Sequence, residues 1–203
     1  MLIIIDYGMG NLKSISNMIK KIGYEAKISP DYKDIEKAKK LILPGVGAFD
    51  KGMENLINLG LVNVIKEYVI ERKIPILGIC LGMQLMTKRS EEGVLEGLSL
   101  IEAETKKFKL NENYKIPHMG WNTVKIKKKS SIFENMENQE NRFYFVHSFY
   151  VECFNKNDIL CTTEYGIEFT SMFEHENIIG AQFHPEKSHK FGMMLLKNFL
   201  GNY

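Results

Sequence analysis

Apolar residues recur along this chain with two different periods, and the change of period marks out its elements. Leu2-Ile3-Ile4-Ile5 is a short run with no polar interruption, as expected of a strand buried on both faces. After the Gly8-Met9-Gly10-Asn11 turn, Leu12, Ile15, Ile19 and Ile22 fall at helical spacing. Residues 24–28 predict a second strand. Leu41-Ile42-Leu43 predicts a third, ended by Pro44-Gly45. Helical spacing returns at Met53, Leu56 and Ile57 and again at Val64, Ile65 and Val69, before another apolar strand at 74–79. Strands alternating with helices imply a parallel sheet with helices on its faces.

Beyond about Leu98 the segments shorten and begin to alternate. Residues 124–126, 142–146, 150–153 and 178–183 predict antiparallel strands added to the same core. Residues 191–200 are apolar at helical spacing and predict a last helix packed back on the sheet. No repeat, low-complexity stretch or linker interrupts the chain, so one domain over 1–203 is expected.

Composition narrows the functional classes. With 203 residues, 44% of them hydrophobic, the chain can bury one sizeable core. The net charge is +2 with the signs interspersed, and the run Lys127-Lys128-Lys129 is flanked by acidic stretches. It reads as a solvated loop or strand end, so a nucleic-acid partner is not expected. No segment approaches the roughly 20 apolar residues of a membrane helix, and the apolar start is too short and lacks the basic residues of a signal peptide. Three widely spaced cysteines do not suggest a disulfide framework, and a reducing, cytoplasmic setting fits them.

The most informative segment is Gly78-Ile79-Cys80-Leu81-Gly82, which follows an apolar strand and precedes Met83-Gln84-Leu85-Met86, a good helix start. A nucleophile between two glycines at a strand-to-helix turn has the form of a nucleophile elbow, with Cys in place of Ser. The turn is sharp, so side chains on either flank would clash. A thiol at a helix N-terminus feels the positive end of the dipole, which favours the reactive thiolate, and the N–H of Leu81 points where an oxyanion would form. A lone cysteine is more often a small core residue. The glycines and the strand-turn-helix setting reverse that reading for Cys80 and leave Cys153 and Cys161 as structural.

A thiolate nucleophile needs a base, and of the five histidines His184 is the candidate. It ends an apolar strand in Gln182-Phe183-His184-Pro185-Glu186, and Glu186 could reach back to fix its tautomer. Spacing alone leaves a surface His beside a surface Glu as an equal reading. His184 and His189 do not have a usual metal-ligand spacing and no Cys pair accompanies them, so no metal is expected. Leu43-Pro44-Gly45-Val46-Gly47 could turn N–H groups of Val46 and Gly47 toward an anion, although a plain loop is the commoner meaning of such a sequence. Gly8-Met9-Gly10 lacks the third glycine of a dinucleotide fingerprint.

Taken together these residues resemble the class I (triad) glutamine amidotransferases, and within them the glutaminase subunits of imidazole glycerol phosphate synthases. The resemblance spans almost the whole chain. It runs through Asp6-Tyr7-Gly8-Met9-Gly10-Asn11, Leu43-Pro44-Gly45-Val46-Gly47-Ala48-Phe49 and the Cys80 elbow. It continues through Pro117-His118-Met119-Gly120-Trp121-Asn122, Tyr144-Phe145-Val146-His147-Ser148 and Gln182-Phe183-His184-Pro185-Glu186-Lys187-Ser188. The resemblance implies an α/β fold with a flavodoxin-like parallel central sheet, flanking helices and added antiparallel strands.

The same resemblance implies a triad of Cys80, His184 and Glu186, with Leu81, Val46 and Gly47 at the oxyanion. It implies that Gly47, Gln84, His147 and Ser148 surround L-glutamine and that no cofactor is needed. It implies a heterodimer with a cyclase (synthase) subunit fed through an ammonia channel, with Asn11, Ser14 and Lys187 facing that partner. Some members of the group supply enzymes that amidinate or aminate surface sugars. The segment Leu100-Ile101-Glu102-Ala103-Glu104-Thr105 is similar to theirs, so the acceptor stays open between histidine biosynthesis and sugar modification. Two other classes share parts of the pattern. A stand-alone Cys-dependent hydrolase would not need Gln84 or the Trp121 segment. A non-catalytic interaction subunit would not need an intact Cys80, His184 and Glu186.

Overall fold

The computed structural model describes residues 1–136 and 139–203. Its first half is built from β1 (Leu2–Ile5), α1 (Leu12–Lys21), β2 (Ala26–Ser29), α2 (Tyr32–Ile35), β3 (Lys40–Leu43), α3 (Phe49–Asn58), α4 (Leu61–Lys66), β4 (Ile76–Ile79) and α5 (Leu81–Leu85). Then come β5 (Ala103–Lys107), β6 (His118–Ile126), β7 (Asn141–His147), β8 (Phe149–Cys153), β9 (Ile159–Tyr165), β10 (Ile167–His175), β11 (Ile178–Ala181) and α6 (His189–Asn202). The strands join in one sheet in the order β2-β1-β3-β4-β11-β10-β9-β6-β7, with β8 and β5 attached beside β10. The first five run parallel, in the flavodoxin-like order 2-1-3-4-5 with β11 as the fifth strand.

The unbroken apolar run of β1 is explained by two cores. Ile3 and Ile5 point into one and Leu2 and Ile4 into the other, because successive side chains on a strand face opposite ways. The first core is closed by Met53 and Leu56 of α3, Leu61 and Ile65 of α4, and Leu85 of α5. The second is closed by Ile15 and Ile19 of α1 and by Leu195, Leu196 and Phe199 of α6.

The structure corrects the reading of residues 178–183. The alternation places them among the added antiparallel strands, yet β11 pairs parallel to β4 (Ile178↔Ile76 through Ala181↔Ile79) and antiparallel only to β10. Every position of β11 is buried, the mark of a central strand and not of an alternating one. β6 begins at His118, six residues earlier than its apolar signal, because the exposed Met119 and Trp121 hide the alternation. β5, β9 and β10 carry no clear apolar run, since they hold buried Thr105, Thr162, Thr163, Thr170 and Ser171. Val69 falls beyond α4, in a π-helical turn over Glu67–Glu71. In the basic run, Lys127 pairs with Glu168 at 2.8 Å and Lys128 donates to the carbonyls of Asn157 and Glu174, both at 2.8 Å. Among the described residues no helix is long and apolar enough to cross a membrane.

Candidate active site

β4 ends at Ile79 and α5 starts at Leu81, so Cys80 alone makes the turn. Its φ of 54° and ψ of −110° form a strained backbone for a residue with a side chain, costing on the order of 1–3 kcal/mol. The surroundings hold it there. The Cys80 N–H donates to the Ala181 carbonyl of β11 at 2.7 Å. A Cβ on Gly82 would sit 1.8 Å from the Leu43 carbonyl oxygen, and one on Gly78 would sit 2.8 Å from the backbone nitrogen of Met83. Only glycine lets α5 start this close to β3 and β4. The sulfur, nearly buried, lies 3.9 Å from the Val146 carbonyl and 3.8 Å from Nε2 of Gln182.

His184 follows β11 and is brought to the same place because β11 lies beside β4. Its N–H donates to the Tyr144 carbonyl at 2.9 Å. Ser188 fastens the following turn by donating to the His184 carbonyl at 2.6 Å and accepting from the Tyr144 N–H at 3.0 Å. The 3₁₀ turn Pro185–Lys187 swings Glu186 back, and its Oε1 lies 2.8 Å from His184 Nδ1. Both side chains of this pair are almost wholly buried, at 2% and 1% exposure. Burial opposes a charged imidazole. Cys80 and Glu186 outweigh it, and the pKa of His184 rises to about 10. His184 Nε2 is buried and has no hydrogen-bond partner at ordinary distance among the described residues, and Cys80 is one of the two groups that support the charged ring. Catalytic hydrogen bonds are often loose before substrate arrives.

A cavity of about 300 Å³ opens over these groups, a size suited to an amino acid. Of the residues singled out in the sequence, Cys80, His184, Val46, Gly47, Leu81, Gln84, His147, Ser148 and Lys187 lie on its wall. Glu186 stands behind His184 and away from the wall. Asn11 and Ser14 sit half-buried at the start of α1 and do not reach the cavity. Both ring nitrogens of His147 are already engaged, Nδ1 with the Phe149 carbonyl at 2.7 Å and Nε2 with His118 at 2.9 Å. Burial lowers the pKa of His147 to about 3 and that of His118 to about 4. Burial also pushes the Cys153 thiol up to about 12, with the Asp158 carboxylate adding to it, and raises Cys161 well above its ordinary value.

Leu81 is the first residue of α5, so its N–H has no acceptor within the helix. Across the cavity Gly47 has a φ of +125°, open to glycine and unfavourable for other residues. Tyr7 fastens the loop before it, donating to the Pro44 carbonyl at 2.6 Å. Burial, and next to it the charge of Cys80, hold the Tyr7 phenol protonated far above its ordinary range.

The sequence reading missed Glu92, Gln182 and Ser188. Glu92 lines the cavity and accepts the N–H of Phe49 at 2.8 Å. Gln182 carried a readable signal, being the polar residue in an otherwise apolar run. Glu92 and Ser188 carried none, since their partners lie 43 and 44 residues away.

A strained cysteine and a buried histidine–carboxylate pair thus meet at one cavity. The class I glutamine amidotransferase family model matches residues 3–202, and the chain belongs to that family. It is 58% identical over 200 residues to imidazole glycerol phosphate synthase subunit HisH 2 of Methanococcus maripaludis, covering 98% of each chain. It is 48% identical over 200 residues to the subunit HisH 2 of Pseudomonas aeruginosa, again covering 98% of each. Among solved structures, a glutamine amidotransferase matches with a TM-score of 0.75 at 18% identity, covering 98% of this chain and 96% of the other. PurLQS from Thermotoga maritima matches with a TM-score of 0.71 at 18% identity, covering the same shares. At that identity the two structures speak for the fold alone.

Proposed function

We propose that this chain hydrolyses L-glutamine to glutamate and ammonia with Cys80 as nucleophile. It passes the ammonia to a cyclase subunit that forms imidazole glycerol phosphate and AICAR in histidine biosynthesis. The observation that carries the chemistry is the strained Cys80 sharing a cavity with His184, whose far nitrogen is held by Glu186 at 2.8 Å. The acceptor and the partner rest on the near-full-length likeness to imidazole glycerol phosphate synthase subunits.

In this reading the Cys80 proton passes to His184 and the sulfur attacks the amide carbon of glutamine. The oxyanion is met by the Leu81 N–H and by an N–H of the loop at Val46 and Gly47. His184 protonates the leaving ammonia, then takes a proton from water as water opens the γ-glutamyl thioester. Glu186 keeps His184 oriented and supports its charged form. Gln84, Ser148 and Gly47 line the space for glutamine, and Glu92, the carboxylate on the wall, suits its α-ammonium. Free ammonia is mostly protonated at neutral pH, which favours an enclosed channel to the partner. Lys187 sits on the cavity wall with its Nζ 5.7 Å from the Tyr144 ring centre. Lys187, with Asn11 and Ser14 of α1, marks the surface the reading gives to the cyclase.

The test is a glutamine analogue carrying an electrophilic diazoketone. It is expected to label Cys80 and abolish glutamate release. Labelling of Cys153 or Cys161 with Cys80 untouched overturns the assignment.

A further inference from the structure

Two arms of hydrogen bonds, one from β6 and one reaching the sulfur of Cys80, meet at one atom that fixes the direction of each. The Phe149 carbonyl oxygen can only accept. It lies 2.7 Å from Nδ1 of His147 and 3.3 Å from Nε2 of Gln84. A neutral His147 must therefore carry its proton on Nδ1, which leaves Nε2 an acceptor. His118 Nδ1, 2.9 Å away, must then donate to it. His118 Nε2 becomes an acceptor in turn, and Nδ2 of Asn122 stands 3.2 Å from it. The Asn122 amide has the matching orientation, with Nδ2 also donating to the Glu164 carbonyl at 3.0 Å and Oδ1 accepting the Thr123 N–H at 2.8 Å.

On the other side of Phe149 the same logic continues. Gln84 Nε2 also donates to Oε1 of Gln182 at 3.1 Å. Gln182 is wholly buried and therefore presents its N–H group to Cys80 Sγ, 3.8 Å away. With both N–H groups of Gln84 engaged, its oxygen is what remains for a ligand. The sulfur thus has a neighbour for each of its states. The thiol can donate to the Val146 carbonyl, and the thiolate can accept from Gln182. A network of reversed polarity would aim an amide oxygen at the thiolate and repel it.

We propose that Gln182 is a hydrogen-bond donor to the Cys80 thiolate, held in that orientation by Gln84, whose amide the Phe149 carbonyl fixes. The proposal rests on Cys80 being the nucleophile and adds a residue to its surroundings. Gln182 shares the sulfur with His184 but takes no proton. Its contribution is a fixed dipole, present before substrate binds and unchanged through the thioester.

The experiment compares wild type with Gln182→Glu, which keeps the shape, and Gln182→Met, which keeps the bulk without charge. The rate of Cys80 alkylation by iodoacetamide is followed from pH 5 to 9, with the modified site read by mass spectrometry. Loss of one hydrogen bond to a charged group is expected to slow alkylation at pH 7 by about tenfold or more. The midpoint of the pH–rate curve is expected to move up by about one unit, with KM for glutamine within about twofold. A role confined to packing would lower the melting temperature and leave the pH–rate curve in place, and that result overturns the proposal. If the diazoketone spares wild-type Cys80, the nucleophile assignment fails, while the pH–rate curve of alkylation still reads whether Gln182 donates to the sulfur.

Discussion

Replacing Glu186 with glutamine keeps the shape of the side chain, removes its charge and leaves the amide two ways to lie. With its oxygen toward His184 Nδ1, it keeps the 2.8 Å bond and loses only the charged character. That difference is about 1–2 kcal/mol, or about 5- to 30-fold in rate. With its NH₂ toward Nδ1, it forces the proton of a neutral imidazole onto Nε2, and His184 can no longer take the proton of Cys80. The equivalent tautomer error in a Ser-His-Asp triad costs about 10⁴ in kcat. Oε2 of Glu186 decides between the two, because it is buried with no hydrogen-bond partner among the described residues. An NH₂ group placed there would leave buried donors unpaired, at a cost of about 1–3 kcal/mol. A carbonyl oxygen there leaves the position as it already is. The second orientation is therefore favoured, and kcat is expected to fall by about 10³–10⁴. KM is expected to stay within about twofold, because Glu186 does not line the cavity. The assay is glutamate release coupled to a dehydrogenase, with the chain saturated by its partner. A loss of kcat under tenfold, or an unchanged kcat with a raised KM, would refute the tautomer argument.

Three further expectations follow from the same geometry. Cys80→Gly and Cys80→Ala both abolish glutaminase activity. Glycine relieves the φ of 54°, so the Gly variant is expected to be more stable to urea than the Ala variant by about 1–2 kcal/mol; equal stability would mean the elbow stores no strain. Burial holds His147 at about 3 and His118 at about 4, below their unfolded value of about 6.5. Between those limits the unfolded chain binds more protons, so these two groups make stability fall as pH drops from about 6.5. His118→Phe is expected to flatten that slope in urea titrations from pH 7 to 4.5, and an unaltered slope counts against a neutral buried pair. His184, raised to about 10, acts in the opposite sense. Its contribution is complete below about pH 6.5 and is lost as pH rises through about 10. The chain alone is expected to hydrolyse glutamine slowly and to gain about 10²–10³ in kcat with its cyclase and acceptor ligand, the worth of one oxyanion donor at the Gly47 loop; full activity in isolation would show that loop already set.

Much of this site was legible because its parts lie close together in the chain. Gly78, Cys80 and Gly82 specify a strained turn by themselves, and His184 with Glu186 needs only a short turn to pair. The parallel half of the sheet was legible for a similar reason. Strands such as β1 and β3 are buried on both faces and show it as unbroken apolar runs. What stayed hidden depends on distant contacts. Glu92 meets Phe49 and Ser188 meets Tyr144 only after folding. β9 and β10 bury threonines and a serine whose backbones pair in the sheet, so hydrophobicity did not announce them. Local pattern could not decide the direction of β11 either, since its neighbour β4 lies about a hundred residues earlier.

That placement of β11 bears on when the protein becomes active during synthesis. β4 and its cysteine leave the ribosome long before β11, and until β11 inserts, one edge of β4 is unpaired. The Ala181 carbonyl that holds the Cys80 N–H arrives with β11, and His184 arrives three residues later. A chain released or cleaved before residue 178 therefore carries the thiol without His184 and without its backbone clamp. On the proposed chemistry such a fragment cannot consume glutamine. It would also present an open strand edge of the kind that pairs with other chains, which marks it for aggregation or clearance.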